Sequence, residues 1–441
     1  MTQGYYAGIS GIQTHQYGLD VISDNLSNIS TTGYKGATTE FSDLFSKVIA
    51  SGNTPTSNDI GVGVKLQATT TQFQQGSLMP SDRFSDLALE GNGWFGVINS
   101  KNKDFYTRDG HFTFDTYQKI AGDANSSSAR LVTADGMYVN GTMLNNFTYD
   151  PTLNYGDQTT NGVTGAYVIT NPTQEVPLAS VNAQGKLEFP TRLAYPVEPT
   201  TQTQFFGNLG LPDAPRTISA DLISSTNERN RLKLSFTPSA VQPATGVAWD
   251  VVATVTSNDG SILYDTKNGQ AVFDTSGGIS SFNISSMNNN GTNVAIDLKG
   301  VTSIDGLAIS GSSQSNGVSG GTLTQYGINT DGVILAEFSN GRQSAIGRVA
   351  VYHFQNDQGL NRDGGTYYEE SLNSGKPIFW SDAAGNPITG ASVRSGTLES
   401  SNVRMEVGLT DMIVMQRAYQ ANAKTITTVD EMIQKALQMH R

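Results

Sequence analysis

Apolar residues recur every seven positions near the C-terminal end of the chain, which is the spacing of a helical seam. The first row of this seam consists of Leu398, Met405, Met412, Tyr419, Ile426 and Ile433. A second row lies four residues further on and consists of Leu409, Gln416, Ala423, Asp430 and Leu437. Because Ile413 and Val414 add apolar surface off both rows, the pattern predicts a helical region at 398–441 that several neighbours cover, with Asn402 as a plausible N-cap of the helix.

A matching row opens the chain at Tyr5, Ile12, Leu19 and Leu26 and predicts a second helix over 1–30. Its interior carries Gly8, Gly11 and Gly18, each costing roughly 1 kcal/mol relative to alanine, so this helix needs a partner to fold. Two arrangements satisfy that need. The terminal helices pair into a stalk within one chain, or both fold only when many copies assemble, which is the arrangement we favour.

Turn signals divide the rest of the chain. Asp-Gly and Asn-Gly pairs, which favour tight hairpins, occur only between positions 92 and 364. The sequence therefore predicts an α+β protein, with the terminal helices forming a coiled-coil-like inner domain and two mainly-β outer domains between them. The predicted parts are an inner helical domain of 1–30 with 398–441, an extended connector at 31–75, a β domain of 76–149 with 322–397, and an inserted outer β domain at 150–321.

Composition excludes several classes of protein. The formal net charge of −12 argues against a nucleic-acid partner, for which a basic patch is expected. No run of eighteen apolar residues is present, so no membrane insertion is expected. The absence of cysteine excludes disulfides and thiolate metal sites. The first residues lack the charged and apolar regions of a cleaved signal peptide, which leaves a cytosolic protein or one exported by another signal.

Apparent catalytic signals have simpler explanations. The segment 91–96 matches a dinucleotide-binding glycine pattern, but Val97 and Ile98 follow it where a helix would be required, so a hairpin is the better interpretation. The four histidines are scattered and offer no paired metal ligands. We therefore predict no catalytic residue, no cofactor and no metal site.

Six blocks of sequence resemble the bacterial flagellar rod and hook protein family. They lie at 19–35, 73–78, 87–95, 106–112, 395–403 and 415–424. The positions that carry the terminal motifs of that family are Asn25, Asn28, Gly33, Lys35, Gln416, Arg417 and Asn422. Because rod members usually lack a large insert, the segment 150–321 favours the hook branch of the family.

The resemblance implies a structural homopolymer, a curved helical tube that acts as a universal joint between rod and filament and encloses an export channel. It further implies an extracellular place in the flagellum, export by the flagellar type III apparatus without a cleaved signal, and contacts with rod, hook cap and hook–filament junction proteins. The predicted subunit-interface residues are Ile12, Leu19, Leu26, Met405, Met412, Tyr419, Ile426 and Ile433. The alternatives are a distal rod or hook-like paralogue, and a secreted β-rich adhesin or hydrolase.

Tyr419 provides a test of the predicted seam. Burial of this aromatic ring between copies would stabilise by about 2 kcal/mol, and Tyr419→Asp would in addition bury an unpaired carboxylate. We expect the variant to keep native sheet content by circular dichroism and to form no tubes by electron microscopy. Normal tubes would mean that the seam is not an assembly interface, and a collapsed β core would place the helices in the fold of the monomer.

Overall fold

A computed structural model describes residues 2–44, 47–48, 59–118, 127–155 and 163–439 of the 441-residue chain. Two helices, α1 at Thr2–Ser27 and α2 at Met405–Met439, lie at the two ends, and nearly all other regular structure in the described part is β. The mainly β protein with terminal helices predicted from the sequence is therefore confirmed. None of the described helices combines the length and the apolar character that crossing a membrane would require.

The two helices pack side by side in opposite directions within one chain, and we call them the helical pair. Gly4 lies level with Val429, and Leu26 at the other end of α1 lies level with Gly408. Between these ends, Gly8 and Gly11 face α2 so closely that a Cβ on either would overlap a side chain of α2. A methyl group added at Gly8 would lie 2.8 Å from Cγ1 of Ile426. Glycine is thus used here for close approach between helices, which compensates for its poor helix propensity.

Four strands follow α1, namely β1 at Ala37–Asp43, β2 at Lys47–Val48, β3 at Asp59–Ile60 and β4 at Val64–Thr71. Strands β1 and β4 pair antiparallel and form what we call the connector hairpin, where the sequence predicted only an extended connector. The hairpin packs on α1, because Thr14 Oγ1 donates a hydrogen bond of 3.1 Å to the carbonyl of Val64 and His15 contacts Phe41 edge to face.

The next twelve strands belong to the inner β unit, which the chain re-enters after position 320. They are β5 Leu78–Pro80, β6 Leu87–Glu90, β7 Trp94–Ile98, β8 Asp104–Thr107, β9 Phe112–Gln118, β10 Ser127–Thr133, β11 Tyr138–Met143, β12 Phe147–Tyr155, β13 Val163–Ile169, β14 Gly185–Lys186, β15 Glu188–Pro190 and β16 Leu193–Tyr195. Strand β7, at the centre, is buried along its whole length. The sequence of β7 is a continuous apolar run because both faces of the strand are covered.

The outer β unit follows as β17 Gln202–Asn208, β18 Arg216–Ile223, β19 Arg229–Pro238, β20 Val247–Ser257, β21 Leu263–Phe273, β22 Ile279–Phe282, β23 Ser286–Asn289, β24 Thr292–Thr302 and β25 Ile309–Ser315. Strands β18 to β22 form an antiparallel sheet in chain order, and a second sheet has the order β23, β24, β17, β25. Both sheets contribute to one apolar core that includes Phe205 and Trp249. Along β19 buried and exposed residues largely alternate, as expected for a strand with one covered face.

The chain then returns through β26 Gly321–Ile328, β27 Val333–Phe338, β28 Gln343–Val349, β29 Val351–Tyr352, β30 Asn361–Gly364, β31 Tyr367–Glu369, β32 Trp380–Ser381, β33 Pro387–Ile388, β34 Ser392–Ser395 and β35 Thr397–Glu399. Strands from both passages interleave in one sheet, with β11 between β7 and β28. The inner β unit is therefore assembled from segments far apart in sequence.

Two predicted boundaries differ from the structure. The insert was expected to begin at 150, but Ile169, Phe189 and Leu193 are buried in the core of the inner β unit, so the chain crosses between the two cores only after Tyr195. Leu398 was expected to open the helical seam, but it lies in β35 opposite Met79 of β5. Backbone pairing with β5 holds this segment extended, and the helix starts only at Met405.

Gly8→Leu tests the close approach of the helices. Leucine is the better helix former, so propensity alone would raise the helical content of the monomer. We expect instead that the side chain forces α1 away from Ile426 and lowers the helical signal in circular dichroism, while the β units unfold at the unchanged temperature. Ser23→Leu, at an exposed position of α1, serves as the control. A helical signal equal to that of the control would refute close packing at Gly8.

Candidate functional site

Three charged side chains from distant parts of the chain meet where the helical pair joins the inner β unit. Nζ of Lys35 lies 2.6 Å from Oε1 of Glu399, and Nη1 of Arg108 lies 3.3 Å from the other carboxylate oxygen. The Lys35 and Glu399 side chains are 1% and 0% exposed, and Arg108 is buried as well. We call these three residues the junction cluster.

Backbone groups complete the hydrogen bonding of the cluster. The amide of Gly76 donates 2.8 Å to Oε1 of Glu399, and Lys35 Nζ donates 2.8 Å to the carbonyl of Gln74. The backbone of Glu399 takes part too, because its carbonyl accepts a 2.7 Å hydrogen bond from the amide of Gly33. Glu399, which lies in the strand that leads to α2, therefore contacts three other parts of the chain. These are the segment after α1, the segment before β5 and the end of β8.

Burial sets the electrostatics of the junction cluster. Loss of solvent lowers the pKa of Lys35 from its ordinary value, while the carboxylate of Glu399 acts in the opposite direction. Burial likewise lowers the pKa of Arg108, again opposed by Glu399. Burying ions costs several kcal/mol each, which good geometry and extra hydrogen bonds recover. Removing the one carboxylate would leave two buried cations unpaired.

Gly33 allows the chain to enter this junction. Its φ of +68° belongs to the left-handed region, and a Cβ there would lie 2.4 Å from the amide nitrogen of Asp109. A side chain at this position would meet rigid backbone as well as an unfavourable φ. This glycine, predicted as a family motif position, is thus required by the contact between the end of α1 and the turn after β8.

Near the end of α1, the side chains of Asn25 and Asn28 make hydrogen bonds of the kind that backbone groups make in regular structure. The side-chain amide of Asn25 donates 2.6 Å to the carbonyl of Ala37 and accepts 2.9 Å from its amide, so Ala37 is paired as it would be by a neighbouring strand. Asn28 donates to the carbonyl of Asp24 and accepts from the hydroxyl of Thr31. These bonds end the helix and orient the connector hairpin.

Asn402 has a similar role on the other side of the junction. The sequence suggested it as the residue that caps α2, but its side chain accepts 2.8 Å from the amide of Gly36 and donates 2.6 Å to the carbonyl of Gln72. It therefore ties the start of α2 to the connector rather than satisfying amides of the helix itself.

The predicted interface and motif residues of the helices divide into three groups. Half-buried residues along the helical pair are Ile12, Leu19, Leu26, Met412, Ile426 and Ile433. Asn422 lies against Gly11 of α1, where a Cβ on the glycine would be 2.7 Å from the Asn422 side chain. Met405 and Tyr419 are exposed, as are Gln416 and Arg417. Of the predicted residues, Lys35 belongs to the junction cluster and Gly33 contacts it through its amide, whereas the others lie on the helices or, like Asn28, directly after α1.

The outer side of α2 carries an apolar ridge at a spacing of four residues. Met405, Leu409 and Ile413 are 51%, 43% and 52% exposed, and we call them the outer ridge. Side chains four apart in a helix lie above one another on the same face. The helical pair therefore buries one side of α2 within the chain and leaves a second apolar side open to solvent.

Family models match both ends of the chain and part of its centre. Residues 6–35 match the family described as flagella basal body rod protein, and residues 394–439 match flagellar basal body rod FlgEFG protein C-terminal. Residues 88–188 match the flagellar hook protein FlgE/F/G D1 domain. This last match runs past position 150, in agreement with the extent of the inner β unit.

Similar proteins cover the chain from end to end. Flagellar hook protein FlgE of Borreliella burgdorferi is 28% identical, with 100% of each chain aligned. The FlgE of Salmonella typhimurium is 25% identical over 96% of this chain and 97% of its own. Among solved structures, Helicobacter pylori flagellar hook protein FlgE2 covers 73% of this chain at 17% identity and a TM-score of 0.45.

The carboxylate of Glu399 is tested by Glu399→Gln. The variant leaves Lys35 and Arg108 buried without a counter-charge, so we expect it to lower the free energy of unfolding by about 3–5 kcal/mol. Glu369→Gln is the control, because Glu369 pairs with the largely exposed Lys103 and its loss should cost less than about 1 kcal/mol. Urea unfolding followed by circular dichroism measures both. Equal losses would show that the junction cluster contributes no more than a surface pair.

Proposed function

This chain belongs to the flagellar hook protein family, and we propose that it is the structural subunit of a hook that self-assembles into a curved helical tube. In this proposal the helical pairs of many copies line the wall of the tube around an export channel. The inner and outer β units stack outside them, and the tube transmits torque from rod to filament as a universal joint.

The outer ridge is the observation that carries the proposal. A helix that is apolar on two sides, with one side covered by its own chain, has a second side available for other copies. Burial of each ridge side chain would stabilise the assembly by on the order of 1 kcal/mol or more, and this gain is repeated in every subunit. The sequence favoured helices that fold only when copies assemble, but α1 and α2 already pair within one chain through contacts such as Gly8 with Ile426. In the proposal this pair assembles further through its uncovered face.

Bending follows from the different chemistry of the two regions. Only 15% of the residues are charged, and the strand surfaces of the outer β unit are dominated by polar side chains such as Thr217, Ser219 and Asp221. Polar, hydrated contacts between neighbouring β units can rearrange at low cost while apolar contacts between helices stay closed. The extracellular location, export by the flagellar type III apparatus, and contacts with rod, cap and junction proteins complete the proposal.

Ile413→Asp tests assembly through the outer ridge. The charge lies on the solvent side of the monomer, so we expect unchanged sheet content and thermal unfolding, together with loss of tubes in electron microscopy. Ile413→Leu keeps the apolar surface and should form curved tubes. Tubes of normal curvature from Ile413→Asp would contradict the proposed interface, and straight tubes from the unmodified chain would favour a rod-like role.

A further inference from the structure

The C-terminal end of α2 projects beyond its partner helix. Gly4 lies level with Val429, and α1 begins at Thr2, whereas α2 continues to Met439. The last eight described residues of α2, 432–439, therefore extend about two turns past the start of α1. Leu437 and Met439 on this overhang are 68% and 84% exposed. An apolar helix end of this kind is costly to leave in water.

A groove of about 320 Å³ lies at the opposite end of the helical pair. It forms where the end of α1, the base of the connector hairpin and the first turns of α2 converge. Its apolar lining comes from Val21, Ile22, Val403, Val407 and Met415. The overhang and the groove thus occupy opposite ends of one antiparallel pair.

Charged side chains of both signs lie at the two ends. Arg404 and Asp411 line the groove, Lys435 lies on the overhang, and Asp430 and Glu431 directly precede it. All five are exposed, and within the described residues none of them takes part in an ion pair. Each end therefore offers both a cation and an anion to a second copy of the chain.

We propose that the overhang of one copy seats in the groove of the next copy along the tube. This statement rests on the proposed function and deepens it by naming the axial contact between subunits. Leu437 and Met439 enter the groove between Ile22 and Val407. Such a contact joins two different surfaces of the same chain, and a head-to-tail contact that does not close on itself generates a helical polymer.

The chain contains no cysteine, which permits a direct test by cross-linking. The double variant Val407→Cys with Leu437→Cys places the two thiols about 45 Å apart within one helix, far beyond the roughly 7 Å that a disulfide spans between Cα atoms. A disulfide between them must therefore join two copies. We expect oxidation of assembled tubes to give a ladder of covalent multimers in denaturing gels.

The control is Val407→Cys with Val241→Cys, since Val241 is exposed on the outer β unit, and it should give no ladder. Tubes of the first variant that give no more multimers than the control would overturn the axial contact while leaving the proposed function intact. If that variant forms no tubes under reducing conditions, Val403→Cys with Met439→Cys tests the same contact with the same two outcomes. Failure of the unmodified chain to form tubes would overturn the proposed function, and the axial contact with it.

Discussion

The attachment of the helices to the inner β unit depends on the buried carboxylate of Glu399. This carboxylate neutralises Lys35 and Arg108 and accepts a hydrogen bond from the amide of Gly76. The backbone carbonyl of Glu399 accepts another from the amide of Gly33. These partners belong to three segments of the chain, at 33–35, 76 and 108, and Glu399 joins all three to the strand that leads to α2. Force applied to the helical pair would reach the β units through this cluster and the bonds of Asn25 and Asn402 around it. A single carboxylate can organise the junction because an unpaired buried charge is so costly.

In the proposed tube the helical pair would separate contacts within the chain from contacts between chains. Glycines of α1 let α2 approach closely on one side, as at Gly8 and Ile426. The outer ridge of Met405, Leu409 and Ile413 stays open on the other. A subunit built in this way can fold its junction alone and still keep an apolar face for assembly. Both faces lie on one helix, so in the proposed tube assembly and the internal pairing would stabilise each other.

The sequence predicted the helices and strands better than it predicted which of their residues contact one another. Heptad spacing identified both helices, and turn residues identified the β centre, because both signals are local. The second predicted row is largely exposed at Leu409, Gln416 and Leu437, since close packing against glycines turns a different face of α2 toward α1. Glu399 was not singled out, although it lies in a block that carried the family resemblance. Its partner Lys35 is 364 positions away, and no local pattern reveals such a pairing.

Hydrogen–deuterium exchange of monomer and tube, compared residue by residue, tests the central claim that the junction forms within the chain and the outer face of α2 is covered between chains. Amides at Gly33, Gly76 and in β35 should exchange slowly in both states, because the junction cluster is complete in one subunit. Amides of α2 around Leu409 and Ile413 should become strongly protected only in the tube. Equal protection of α2 in monomer and tube, or a junction protected only after assembly, would contradict the account.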